Sequence, residues 1–174
     1  LFPSQNISDR LNNLWLTTDF NMMIMLLYSI ITIVIFSMWY YARYGGDFLP
    51  SPKKTFHPLM ILGILFLVPG AQFAANYIVM GISFIRPDWI TEYEQLFESS
   101  GITTVTVITF IYSVITGPIC EELIFRGMTM NAFKKAVPFW VANIMQAVLF
   151  GIFHMNWVQG IYAFALGLLL GYVC

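Results

Sequence analysis

Charge is what this sequence has least of. Only 10% of its 174 residues are Asp, Glu, Lys or Arg, against about one quarter in an ordinary soluble domain. A surface that poor in charge would not stay dispersed in water, which excludes a free soluble domain. The two signs nearly cancel, at a net charge of −1, so charge gives no case for a nucleic-acid partner. Cysteine is almost absent too. Cys120 and Cys174 both sit in apolar sequence without a CxxC, which excludes a disulfide framework and leaves them as small packing residues. There are two histidines and no HExxH, so the helical zinc-protease signature is missing. There is no internal repeat or low-complexity linker, and residues 1–19 do not read as a signal peptide.

Apolar residues take up the space, at 59% of the chain, and they come in long blocks. A helix crossing the hydrocarbon core of a bilayer needs about 20 of them. Five segments are expected to cross: Phe20 to Tyr41, Pro58 to Ile85, Ile102 to Thr116, Pro138 to His154, and Val158 to Val173. The third runs through Gly117-Pro118, where a kink is expected, into a further helical stretch from Ile119 to Lys135. The fold class is therefore all-α, a polytopic transmembrane helical bundle. Residues 1–100 read as membrane-anchoring helices and loops, and 101–174 as the part that carries chemistry.

The connections give an orientation. Arg43, Lys53 and Lys54 follow the first segment, and Arg126, Lys134 and Lys135 precede the fourth. Asp88, Glu92, Glu94 and Glu98 lie between the second and third. Basic loops prefer the cytoplasm, so five crossings with residue 1 outside satisfy the pattern. The chain opens at Leu1 and closes at Cys174 directly after an apolar run, and it is expected to be part of a longer protein.

Ionisable groups inside membrane helices are functional by default. The densest cluster is Cys120-Glu121-Glu122-Leu123-Ile124-Phe125-Arg126-Gly127. Glu122 and Arg126 are four apart and share a helix face, so they can pair. Glu121 points about 100° away. One carboxylate is then neutralised, and the other is free to act as a base if buried. An interfacial charge cluster is the blander reading. His154 closes an apolar helix, with Phe150 one turn before it on the same face. A lone histidine at a helix end is ordinarily a satisfied interfacial residue, and His57, beside two lysines, is blander still. Phe164-Ala165-Leu166-Gly167-Leu168-Leu169-Leu170-Gly171 carries two glycines four apart, a face that lets helices approach closely. Glu121 is expected near the cytoplasmic end of its crossing and His154 near the opposite side. A full straight crossing would separate them by about 25 Å.

Taken in order, these three features resemble the CPBP family of CAAX proteases and bacteriocin-processing enzymes, also called Abi. Its EExxxR motif falls on Glu121, Glu122 and Arg126, its FxxxH on Phe150 and His154, and its FxxGxxxG on Phe164, Gly167 and Gly171. The resemblance implies an intramembrane endopeptidase in the bilayer of a cell membrane, acting on membrane-associated or hydrophobic peptides. A bacterial plasma membrane suits the composition. Glu121 and His154 would activate a water, with Glu122, Arg126 and Phe150 supporting the site. The family's fourth motif, a later His with an Asn one turn on, supplies the oxyanion contact and is expected to be missing here. Such proteins are often termed metalloproteases. Whether a divalent metal such as zinc takes part stays open, because His154 and Glu121 are the only plausible ligand pair. The alternative is a non-enzymatic membrane scaffold or immunity protein that binds a partner through its helices. A transporter or channel piece is a third reading, disfavoured by the scarcity of polar residues in the first, second and fifth segments.

Overall fold

The computed structural model describes residues 7, 18–44, 58–99 and 106–173. His57, Lys53, Lys54 and Cys174 lie outside the described residues, as does the start of the third segment. Six helices make up the rest, and among the described residues there is no strand. We label them α1 (Thr18–Tyr44), α2 (Pro58–Ile85), α3 (Pro87–Ser99), α4 (Val107–Phe133), α5 (Phe139–Phe153) and α6 (Trp157–Val173).

Helices are the expected answer, because a chain in hydrocarbon must satisfy its own backbone polar groups. Three helices, α1, α2 and α4, contain stretches long and apolar enough to cross a membrane. α5 and α6 are equally apolar but have 15 and 17 residues, about 22 and 26 Å of rise. The distribution of side chains is inverted relative to a water-soluble bundle. On α1 the polar Ser29 and Thr32 are buried, while Leu27, Ile31, Val34 and Ile35 are exposed. That pattern suits lipid as the surrounding solvent, where small and polar residues make the helix contacts.

Two pairs of contacts fix α1 against α4. Ser29 Oγ and Thr116 Oγ1 share a 2.8 Å hydrogen bond, and the Tyr40 ring lies beside Gly127. Both sequence numbers rise together, so α1 and α4 run parallel. α4 then turns back through Lys134–Val137, where the Lys134 amide donates to Met130 O and that of Val137 to Phe133 O, each at 2.9 Å. α5 is antiparallel to α4, and α6 antiparallel to α5.

α4 carries the Gly117-Pro118 pair, where a kink is expected, in its interior. It is one continuous helical run, with π-helical turns at Ile111–Thr116 and Leu123–Met130 around an α-helical stretch, Gly117–Glu122. Pro118 sits at the start of that stretch. The wider turn before it takes up the geometry that a proline would otherwise break, since the Gly117 amide donates to Tyr112 O five residues back. A methyl at Gly117 would come within 2.9 Å of that same oxygen, so only glycine fits there.

The acidic connection is also helical. Pro87 opens α3, and Asp88 lies in its first turn, a favourable place for a carboxylate. Arg86 donates to both Asp88 oxygens, at 3.0 and 2.6 Å, and this bond holds the Asp88 carboxyl below its ordinary range. Both groups are exposed, so the pair adds little stability. Helix α3 buries none of its residues and is seated on α6 by aromatic contacts. Trp89 stacks on Trp157 at 5.6 Å and 19°, and Tyr93 meets Tyr162 edge-on.

Candidate active site

α5 and α6 pack closely, and their glycines explain it. Gly151 faces Gly160, Gly167 faces Ala147, and a methyl on Gly171 would run into Asn143 Oδ1. Asn143 and Gln146 are buried in this seam. Asn143 Nδ2 donates to Leu168 O at 3.0 Å, and Gln146 Nε2 donates to Gly167 O at 2.8 Å and Asn143 Oδ1 at 2.7 Å. Phe164 packs its Cβ against Gly151. The two amides were not singled out in the sequence. Their signal is a pair of polar residues three apart in an otherwise apolar run, which places them on one face.

That seam carries Phe150 to α4. Phe150 is buried with Phe125 and Ala163, and its ring meets Phe125 at 4.9 Å. On its other side lies Arg126, whose Cζ is 4.5 Å from the ring centre. Arg126 is buried, with its side chain only 4% exposed, and its guanidinium is 3.1 Å from Glu122 Oε1. Glu122 is 42% exposed and opens onto a groove of about 540 Å³ between α1 and α4, shared with Ser37 and Tyr40.

His154 is the C-cap of α5. Its ring sits edge-on to Phe150 at 4.9 Å, and its Nδ1 lies 2.8 Å from Phe150 O. A carbonyl can only accept, so Nδ1 carries the proton and Nε2 is left as the basic nitrogen of the neutral ring. Met155, the next residue, holds a left-handed φ of 53°, a position usually given to glycine at a helix end. The turn through Asn156 into α6 follows at once.

Glu122, Arg126, Phe150 and His154 thus form one unbroken stack across α4 and α5. Glu121 stands apart from it. It is partly buried and lies one turn before Phe125 on α4. Among the described residues, no hydrogen bond joins Glu121 to His154. Glu121 is placed in the middle of α4, 12 residues before Phe133 and about 18 Å from that end. His154 follows Phe153, whose ring meets that of Phe125 at 5.6 Å, one helical turn beyond Glu121. The helix runs through Gly117-Pro118, as expected.

The comparisons with known proteins bear on this same region. Residues 103–174 match a family model described as type II CAAX prenyl endopeptidase Rce1-like. That segment is similar to the family over those residues alone. Neither a curated protein nor a solved structure matches the chain significantly. The Rce1-like segment takes in all three motifs and spans α4, α5 and α6, and it agrees with the CPBP resemblance. The apolar helices suit a multi-pass membrane protein.

Among the described residues, no three His, Cys, Asp or Glu side chains gather as a metal site. Glu122 faces Arg126 and His154 gives Nδ1 to a carbonyl, which leaves fewer donors than the three protein ligands a catalytic zinc usually takes. These residues alone do not fit a catalytic zinc.

Proposed function

We propose that this chain is the core of an intramembrane endopeptidase of the CAAX type, in which Glu121 and His154 activate a water for attack on a peptide carbonyl. Residues 101–174 would carry the chemistry, and residues 1–100 would anchor and shape the site. The observation that carries this reading is the Glu122–Arg126–Phe150–His154 stack inside the Rce1-like segment. It ties the first two motifs into one rigid body, while leaving Glu121 outside the Arg126 ion pair.

In the proposed step, Glu121 takes a proton from water as the water oxygen bonds to the carbonyl carbon. Nε2 of His154 orients that water or shares its proton. The proton then passes to the leaving amine as the carbon–nitrogen bond breaks. Arg126 works at one remove. By holding Glu122 and supporting the Phe150 ring, it fixes the turn that presents His154. An oxyanion donor is still needed for the tetrahedral intermediate. Membrane-associated or hydrophobic peptides are the substrate class, and a bacterial plasma membrane the proposed location.

The test is cleavage of a peptide panel by the full-length protein in liposomes, for wild type, Glu121→Ala and His154→Ala, with and without chelator. Both variants should stay folded and lose roughly 100-fold or more in rate. Normal cleavage by either variant, or none by wild type, moves a partner-binding scaffold ahead.

A further inference from the structure

Both ends of α5 are set by the chain itself. Pro138 opens it, and Met155 leaves it with a left-handed φ of 53°. Between them lie 15 residues, about 22 Å of rise. The outer face is apolar along that length, with Ile144, Val148 and Ile152 exposed. Each end is closed by aromatic rings with a cation beside them. At the start, Trp140 stacks on Tyr172 of α6 at 5.5 Å and 16°, and Lys134 Nζ lies 5.5 Å from the centre of the Phe139 ring. At the other end Trp157 stacks on Trp89, and Arg86 Cζ lies 4.5 Å from the centre of the Trp89 ring. Such residues mark the level where hydrocarbon gives way to water. Trp157 and Tyr172 share α6 and are likewise about 22 Å apart along it.

An ordinary bilayer has about 30 Å of hydrocarbon. Tilting α5 would only shorten its span further. Snorkelling is open at one end alone. Lys134 and Lys135 have long stems, but the turn at Met155, Asn156 and Trp157 carries no charge, and Arg86 is held by Asp88. The remaining response of a bilayer to a short apolar span is to thin. The longer α1, α2 and α4 fit a thinner patch by tilting.

We infer that the α5–α6 hairpin holds the bilayer thin beside it and brings the aqueous phase to the His154 turn. The partner of this surface is the lipid bilayer, in a patch about 22 Å deep. The consequence for chemistry rests on the proposed reaction, because water would then reach Nε2 of His154 without crossing hydrocarbon. The thin patch itself does not rest on it.

The experiment is labelling of single-cysteine additions with a charged maleimide. The full-length protein is placed in liposomes with about 30 Å of hydrocarbon, with reagent on both sides and the labelling of wild type subtracted. Ala136→Cys and Met155→Cys lie beyond the two ends of α5, and Ile144→Cys lies between them. All three positions are exposed, so the fold is kept. Both ends should label, and Ile144→Cys should react roughly 50-fold or more slowly, as hydrocarbon excludes a charged group. Protection of either end overturns the inference, whether lipid or a second copy of the chain covers it. Fast labelling of Ile144→Cys also overturns it, because the face would then line water. Labelling at both ends with Ile144→Cys protected, in a protein that cleaves no peptide, keeps the thin patch and removes the peptidase reading.

Discussion

The guanidinium of Arg126 lies 4.5 Å over the ring of Phe150, so the buried cation of one motif rests directly on the aromatic residue of the next. Arg126 is far more deeply buried than its carboxylate partner Glu122. That imbalance makes the two ends of the pair unequal.

Glu122→Gln should destabilise the fold more than Arg126→Met. The first change leaves a buried cation without its carboxylate, and the second leaves a carboxylate that reaches a groove. Removing one partner of a fully buried pair costs about 3–5 kcal/mol. Partial exposure of Glu122 reduces this to about 2 kcal/mol for Glu122→Gln, and to less for Arg126→Met. Thermal unfolding in detergent measures the difference, and a larger loss in Arg126→Met would show that the ring contact dominates.

Gly171→Leu and Gly167→Leu should force α5 and α6 apart, since even a methyl at either glycine meets its neighbour at close range. Overpacking of this kind costs about 1–3 kcal/mol. Gly81→Ala is the control, because nothing lies within 4 Å of the added carbon. It should leave unfolding unchanged or raise its midpoint slightly, as expected for glycine replaced in a helix. Equal effects at Gly171 and Gly81 would remove the packing argument.

His154→Asn and His154→Gln separate the two ring nitrogens. The shorter amide can still donate to Phe150 O and keep the cap, yet it lacks Nε2. Asn should retain the wild-type unfolding midpoint and lose roughly 100-fold in rate. Gln should disturb the cap. Full activity in His154→Asn would mean that the capping nitrogen is the one that matters.

Gln146→Leu should cost about 0.6–2 kcal/mol, the range measured for hydrogen bonds between helices in membranes. Reversible unfolding in a denaturing detergent is the measurement. A stabilised variant would show that the buried amide is carried at a loss.

The sequence made the apolar helices legible because hydrocarbon demands long, uncharged runs. It made the three motifs legible because their spacings are helical. The π turns of α4 were not legible. Gly117-Pro118 marks a break equally well in a kinked helix and in a widened one, and only backbone geometry separates them. That single ambiguity also displaced Glu121 from mid-helix to a helix end. α3 was hidden by its charge. Its acidic residues suggested a loop, while Trp89, Tyr93 and Phe97 recur every four residues and mark the face that meets α6. Asn143 and Gln146 were overlooked because two amides change a segment's hydropathy very little. Their importance comes from the glycine-lined surface opposite them.

Those two amides also constrain how the protein is made. A lone α5 entering the bilayer would carry Asn143 and Gln146 into hydrocarbon with only each other as side-chain partners. Against α6, the same amides donate to Leu168 O and Gly167 O. Only three residues, His154 to Asn156, separate the two helices, so the partner emerges from the ribosome directly behind the helix that needs it. Biogenesis then favours delivery of the two as a preformed hairpin, a unit whose lipid-facing side is already apolar before the rest of the bundle gathers around it.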